Sequence, residues 1–252
     1  MINRRKDYFI RVESVSKTYG NLPAIRPMSL YVGKGERVAL LGPSGSGKTT
    51  LLHLIGGVLK PDSGHVLLDG KRILDLGPGM EIASLIGIMF QQLDLIIPAT
   101  VAHNVLAGRL GYWSFWRTLG SLILGREKRL ALGALERVGL RDRIDERVNN
   151  LSGGEQQRIA IARLMVQDPQ IVIADEPVAS LDPVRANDIM SLLHQMTRQS
   201  QKILICSIHT EHLAKKYFSR AIGIKNGVML FDLDIADLTE DRIKSLYTME
   251  DN

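Results

Sequence analysis

Gly42-Pro43-Ser44-Gly45-Ser46-Gly47-Lys48-Thr49 is the stretch whose reading decides the fold. It matches the pattern G-x-x-x-x-G-K-[ST], and its flanks agree with that pattern. Val38-Ala39-Leu40-Leu41 reads as a buried strand, and Thr50-Leu51-Leu52-His53-Leu54-Ile55 reads as a helix. A glycine-rich turn from strand to helix aims backbone N–H groups at an anion. Lys48 adds a point charge at the β- and γ-phosphates, and the Thr49 hydroxyl is a ligand for Mg²⁺. Residues Gly42 to Thr50 are therefore candidates for holding a nucleoside triphosphate.

Working outward, Phe9-Ile10-Arg11-Val12 and Met28-Ser29-Leu30-Tyr31-Val32 alternate like half-buried antiparallel strands. Gly64 to Leu68, running into Asp69-Gly70, predicts another strand with a hairpin turn. Ile86-Gly87-Ile88-Met89-Phe90 is an apolar strand ending at Gln91. From Pro98 to Val138 the pattern turns helical, clearest from Arg126 to Val138. Beyond it lie a helix at Glu155–Val166, a strand at Ile171–Ala174, a helix at Val184–Met196 and a strand at Ile203–Cys206. That alternation predicts parallel strands covered by helices. A hairpin around Asn226-Gly227 and a helix from Leu238 to Tyr247 close the chain. The expected architecture is α/β: a P-loop core, an N-terminal antiparallel β subdomain with the first core elements (1–97), an inserted helical subdomain (98–166) and the rest of the core (167–252), all in one domain.

The 252 residues are 45% hydrophobic, enough for a sizeable core. A net charge of +5 is compatible with nucleotide, nucleic acid or an anionic membrane, but the basic residues are scattered and select none of these. Arg11 and Glu13 interrupt the N-terminal apolar run before a signal peptide forms. No uncharged apolar run is long enough to span a bilayer. The single Cys206, within an apolar strand, reads as a small buried hydrophobe and fits a reducing compartment.

Ile171-Val172-Ile173-Ala174-Asp175-Glu176 is an apolar strand ending in two carboxylates. A P-loop enzyme needs such a pair, Asp175 on the metal side and Glu176, on the opposite face, as the base that polarises the attacking water. Leu151-Ser152-Gly153-Gly154-Glu155 precedes a helical pattern and presents bare N–H groups at a helix start, a second anion site.

With this stretch lying between the P-loop and the Asp-Glu strand, the chain resembles the nucleotide-binding subunits of ABC transporters over nearly its full length. The resemblance implies an ATPase with ATP and Mg²⁺ as cofactors. In that family the Ser152, Gly153, Gly154 turn of one copy closes over nucleotide on the P-loop of a second copy. It further implies that Tyr19 stacks on adenine and that Gln91 senses Mg²⁺ and the membrane partner. Asp182 lies in the loop Ser180-Leu181-Asp182, and His209 is the switch at the γ-phosphate. The implied partners are two transmembrane permease subunits and, indirectly, an extracytoplasmic binding protein, with the chain peripheral on the cytoplasmic face of the membrane. An exporter or lipoprotein-release ATPase is the rival within the family. A soluble ABC protein acting on nucleic acid would need coiled-coil arms or a second cassette, and the sequence has neither.

Glu155 stands where the family usually has Gln. A carboxylate about 4 Å from a phosphate charge costs about 1 kcal/mol in water and about 4 kcal/mol at an effective dielectric of about 20, so Glu155 is expected to point away from nucleotide. The spacing Ser152-x-x-Glu155 predicts a capping box instead. Asn104-Val105-Leu106-Ala107-Gly108-Arg109-Leu110-Gly111, then Trp116 to Leu119, and Ala174 to Pro183 resemble the phosphonate-importer ATPases of the PhnC type, with Gly77-Pro78-Gly79 a departure. The 98–125 segment, which holds both tryptophans, is expected to meet the permease.

Overall fold

The computed structural model describes residues 8–77, 79–112, 127–198 and 200–248. Pro78 lies outside them, as do residues 113–125 of the segment expected to meet the permease, which hold Trp113 and Trp116.

The strands are β1 Tyr8–Tyr19, β2 Leu22–Gly33, β3 Arg37–Leu41, β4 Ser63–Leu68, β5 Lys71–Arg72, β6 Ile86–Met89, β7 Ile171–Asp175, β8 Ile203–Ser207, β9 Arg220–Lys225 and β10 Val228–Asp234. The helices are α1 Lys48–Ile55, α2 Met80–Leu85, α3 Val101–Leu106, α4 Lys128–Arg137, α5 Gly153–Gln167, α6 Pro183–Arg198, α7 Glu211–Tyr217 and α8 Glu240–Tyr247. Two sheets form, a four-stranded antiparallel one ordered β2-β1-β4-β5 and a six-stranded one ordered β10-β9-β3-β8-β7-β6. In the larger sheet β9, β3, β8, β7 and β6 run parallel, and β10 closes one edge as a hairpin with β9.

The pleat divides the core. Val38, Leu40, Ile171, Ile173, Ile203 and Ile205 pack with α1 and the small sheet, while Ala39, Leu41, Val172, Ala174, Leu204 and Cys206 pack with α5 and α6. Successive strand residues point to opposite faces, so Asp175 and Ser207 share the face that α1 covers. The four residues before Asp175 are fully buried. Each buried aliphatic side chain contributes about 1.5–3 kcal/mol, enough to carry a carboxylate to the sheet's end against its desolvation. Cys206 is buried, and burial raises its thiol pKa well above 9.0, as suits an inert core thiol.

Several boundaries depart from the sequence reading. Helix α1 starts at Lys48 and not at Thr50, and α5 starts at Gly153 and not at Glu155, because the preceding glycine or serine serves as the cap. Strand β6 stops at Met89, leaving Phe90 outside to meet His53 edge to face at 5.5 Å. The helical stretch from Pro98 is interrupted: Thr100 caps α3, and Ala107–Tyr112 tightens into 3₁₀ turns. Helix α5 packs on α3, α4 and β6 alike, so the helical lobe and the sheet share one core.

Candidate functional site

The loop Gly42–Gly47 leaves β3 and enters α1. Its shape depends on glycine at two close approaches. A Cβ on Gly42 would lie 2.1 Å from the Ile224 carbonyl oxygen, and one on Gly47, whose φ is +106°, would lie 2.5 Å from the Ala24 carbonyl oxygen. The loop is also held from behind, where the Gly227 amide donates to the Ser46 carbonyl at 3.0 Å and the Arg26 amide donates to the Gly227 carbonyl at 2.9 Å. Asn226 and Gly227 both have positive φ, as the expected hairpin turn requires.

Lys48 is buried, and its Nζ donates to the carbonyls of Gly42 at 2.8 Å and Pro43 at 2.9 Å. Burial lowers its pKa from 10.5, opposed by the nearby carboxylates of Glu176 and Asp175. One ammonium thus lies within the field of both acids of the β7 end. Ser44, Gly45 and Thr49 are exposed at the loop's mouth, and Thr50 is half-buried.

Asp175 is 2% exposed, and Oδ1 accepts from the Ser207 hydroxyl at 2.6 Å. The same hydroxyl accepts from the Glu176 amide at 2.7 Å. Ser207 therefore ties the two acids together, and the residue-by-residue sequence reading missed it. The signal is non-local: parallel pairing of β7 with β8 sets Asp175 opposite Ser207. Glu176 is expected from the sequence to follow the pleat, but the strand has ended at Asp175 and Glu176 sits in the left-handed region at φ 47°, so a turn and not the pleat sets its direction.

Three expected residues converge there. His209 Nε2 lies 2.6 Å from Glu176 Oε1, and Gln91 Nε2 donates to Glu176 Oε2 at 3.4 Å. The structure therefore brings Lys48, Asp175, Glu176, Gln91 and His209 to the ends of β3, β6, β7 and β8, where parallel α/β sheets carry their ligands. Tyr19 is 50% exposed at the end of β1, with Lys17 Nζ 6.0 Å from its ring centre. Asp182 caps the start of α6, its Oδ1 accepting from the amides of Val184 and Arg185, both at 3.1 Å.

Ser152 is elsewhere. It caps α5, and Glu155 folds back on it in the expected capping box. Glu155 Oε2 accepts from the Ser152 amide at 2.9 Å and from its hydroxyl at 2.7 Å. Those two bonds hold the Glu155 pKa below 4.5. Ser152, Gly154 and Glu155 line a surface cavity with Arg158 and Arg185, and its lining includes no residue of the Gly42–Thr49 loop.

Residues 25–179 match the ABC transporter family. The chain is 39% identical over 245 residues to a phosphonates import ATP-binding protein of Rhodopseudomonas palustris, covering 96% of this chain and 90% of that one. It is 38% identical over 244 residues to a hypophosphite import ATP-binding protein of Stutzerimonas stutzeri, covering 96% and 72%. Among solved structures, a dimeric ATP-binding cassette in a post-hydrolysis state with ADP and Pi superposes with a TM-score of 0.78. It is 32% identical, with 90% of this chain and 98% of that one covered.

Proposed function

This chain belongs to the ABC transporter family, and on that premise we propose that it is the ATP-hydrolysing subunit of an importer for phosphonate, hypophosphite or a related phosphorus oxyanion. It works as a pair of copies and drives a separate two-chain permease that an extracytoplasmic binding protein loads. It sits on the cytoplasmic face of the membrane. None of its described helices is long and apolar enough to span one.

The backbone N–H groups of Gly42–Thr50 and the Lys48 ammonium hold the triphosphate, and Tyr19 stacks on the adenine. Thr49, Asp175 and Gln91 suit Mg²⁺, since their hydroxyl, carboxylate and amide groups are the hard oxygen donors that this ion prefers. When bound, Mg²⁺ neutralises charge on the phosphate oxygens. Glu176 takes the proton from the attacking water, and His209 steadies the carboxylate through their 2.6 Å contact. Ser207 holds the Asp175 carboxylate and the Glu176 backbone, donating to the first and accepting from the second's amide. Substrate does not touch this subunit, so the phosphorus compound is selected by the permease and the binding protein.

One observation carries the pairing. The Ser152 end of α5 opens on its own cavity, lined by none of the P-loop residues, so the anion site there is left for nucleotide on another copy. The test is reconstitution with the membrane proteins that co-purify with the chain. ATP hydrolysis should rise when a phosphonate-loaded binding protein is added, and turnover should depend on Ser152 and Gly153. A fully active monomer overturns the pairing. A permease that responds to none of the phosphorus oxyanions overturns the substrate class.

A further inference from the structure

Helix α5 carries two polar side chains one turn apart, Arg163 and Gln167, that reach the backbone on either side of the segment bearing Gln91. Gln167 Nε2 donates to the carbonyls of Ala83 at 3.0 Å and Ile86 at 2.7 Å, where β6 begins. Arg163 donates through one guanidinium nitrogen to the Leu93 carbonyl at 2.8 Å and through the other to the Asp94 carbonyl at 2.9 Å. Asp94 has φ 47°, in the left-handed backbone region that Asp visits more readily than most residues with a side chain. Arg163 is half-buried, and burial lowers its pKa against the opposing charge of the Asp94 carboxylate. A rigid two-pronged donor suits two adjacent carbonyls in a way that a lysine does not.

We infer that Arg163 is a positioning residue that pins the Leu93–Asp94 turn to α5 and thereby sets Gln91 against Glu176. The same helix starts at Ser152. The Gln91 loop and the Ser152 turn are therefore anchored to one helix. This rests on the reading of Gln91 as a nucleotide-site residue. It adds the residue that holds Gln91 in place and the physical link from that loop to the Ser152 turn.

The test is a double-mutant cycle on the full chain, with ATP affinity by equilibrium binding and turnover under ATP saturation. Arg163→Ala should lower kcat by about tenfold to a hundredfold, as displaced catalytic groups do, with ATP affinity unchanged. Gln91→Ala should give a similar loss. The double variant should be no slower than the slower single, because Arg163 acts only through Gln91. Arg163→Lys should recover part of the rate and takes the place of Arg163→Ala if that variant fails to fold. Losses that multiply in the double variant overturn the inference, as does an Arg163 variant with lowered thermal stability and normal kcat. Normal turnover by Gln91→Ala overturns instead the placing of Gln91 at the nucleotide.

Discussion

The two glycine-bearing turns proposed to meet phosphate are built on different plans. At two of the three P-loop glycines the chain's own backbone leaves no room, a Cβ on Gly42 or Gly47 running into a carbonyl oxygen at 2.1 Å or 2.5 Å, while Gly45 at the loop's tip meets nothing within 4 Å. Around the α5 turn the space is open. A Cβ on Gly153 would meet nothing within 4 Å among the described residues, and one on Gly154 would meet only Arg185 Cδ at 3.8 Å. The first pair of glycines is required by the fold itself. The second pair is not required by the packing of the described residues, which leaves room at the turn for the second copy's nucleotide proposed above.

The largest effect expected is at the closed site. Lys48→Ala should abolish ATP binding, measured by equilibrium binding, because it removes the phosphate loop's buried ammonium, which lies in the field of both β7 acids. Retained affinity would break the assignment of this loop to phosphate. Glu176→Gln should keep ATP affinity and lower turnover by about a hundredfold or more, the usual contribution of a general base, while a long-lived dimer appears by light scattering. Wild-type hydrolysis would show that another group is the base.

Gly153→Ala sharpens the comparison most directly. Thermal stability and ATP binding should match wild type, since the site has room for a methyl, yet turnover should fall by more than about tenfold as the second copy's approach is blocked. A loss of stability with normal turnover would reverse the conclusion drawn from the open space. The smallest effect is expected for Glu155→Gln. Gln also completes a capping box, so turnover should stay within a few-fold and stability should drop only by the lost charge–dipole contribution of about 0.3–1 kcal/mol. A turnover loss beyond tenfold would give Glu155 a role at the nucleotide. The sign with pH follows from the lowered pKa. The wild-type contribution is full above 4.5 and fades as pH falls below it, and thermal melts of the Gln variant should lack that fade.

Much of this was legible in the sequence, because its strongest signals are local. The P-loop carries its strand and helix beside it, and Ile171–Asp175 reads as a fully buried run. The capping box is a four-residue pattern. What was missed is what depends on distant pairing or on weak amphipathicity. Ser207 acquires its role only once β8 lies beside β7, and Arg163 only once α5 crosses the Gln91 loop. Helix α2 buries no residue, so it offers no apolar stripe to find. The turn at Glu176 is set by its φ of 47° and its amide bond to Ser207, neither of which a strand-end motif announces.

The sheet order has a consequence for how the protein is made. Strand β3, which leads into the phosphate loop, has as its two neighbours β8 and β9, and the Ser46 carbonyl takes its hydrogen bond from Gly227. A ribosome that has released only the first hundred or so residues has synthesised the loop but none of the three pieces that fix it. The nascent N-terminal part therefore has the loop and its Ala24 contact but neither its sheet neighbours nor its hairpin clamp. Cellular ATP is able to favour the native state only after the β9–β10 hairpin has emerged and docked, which makes nucleotide a late guarantor of folding in this chain and not an early nucleus.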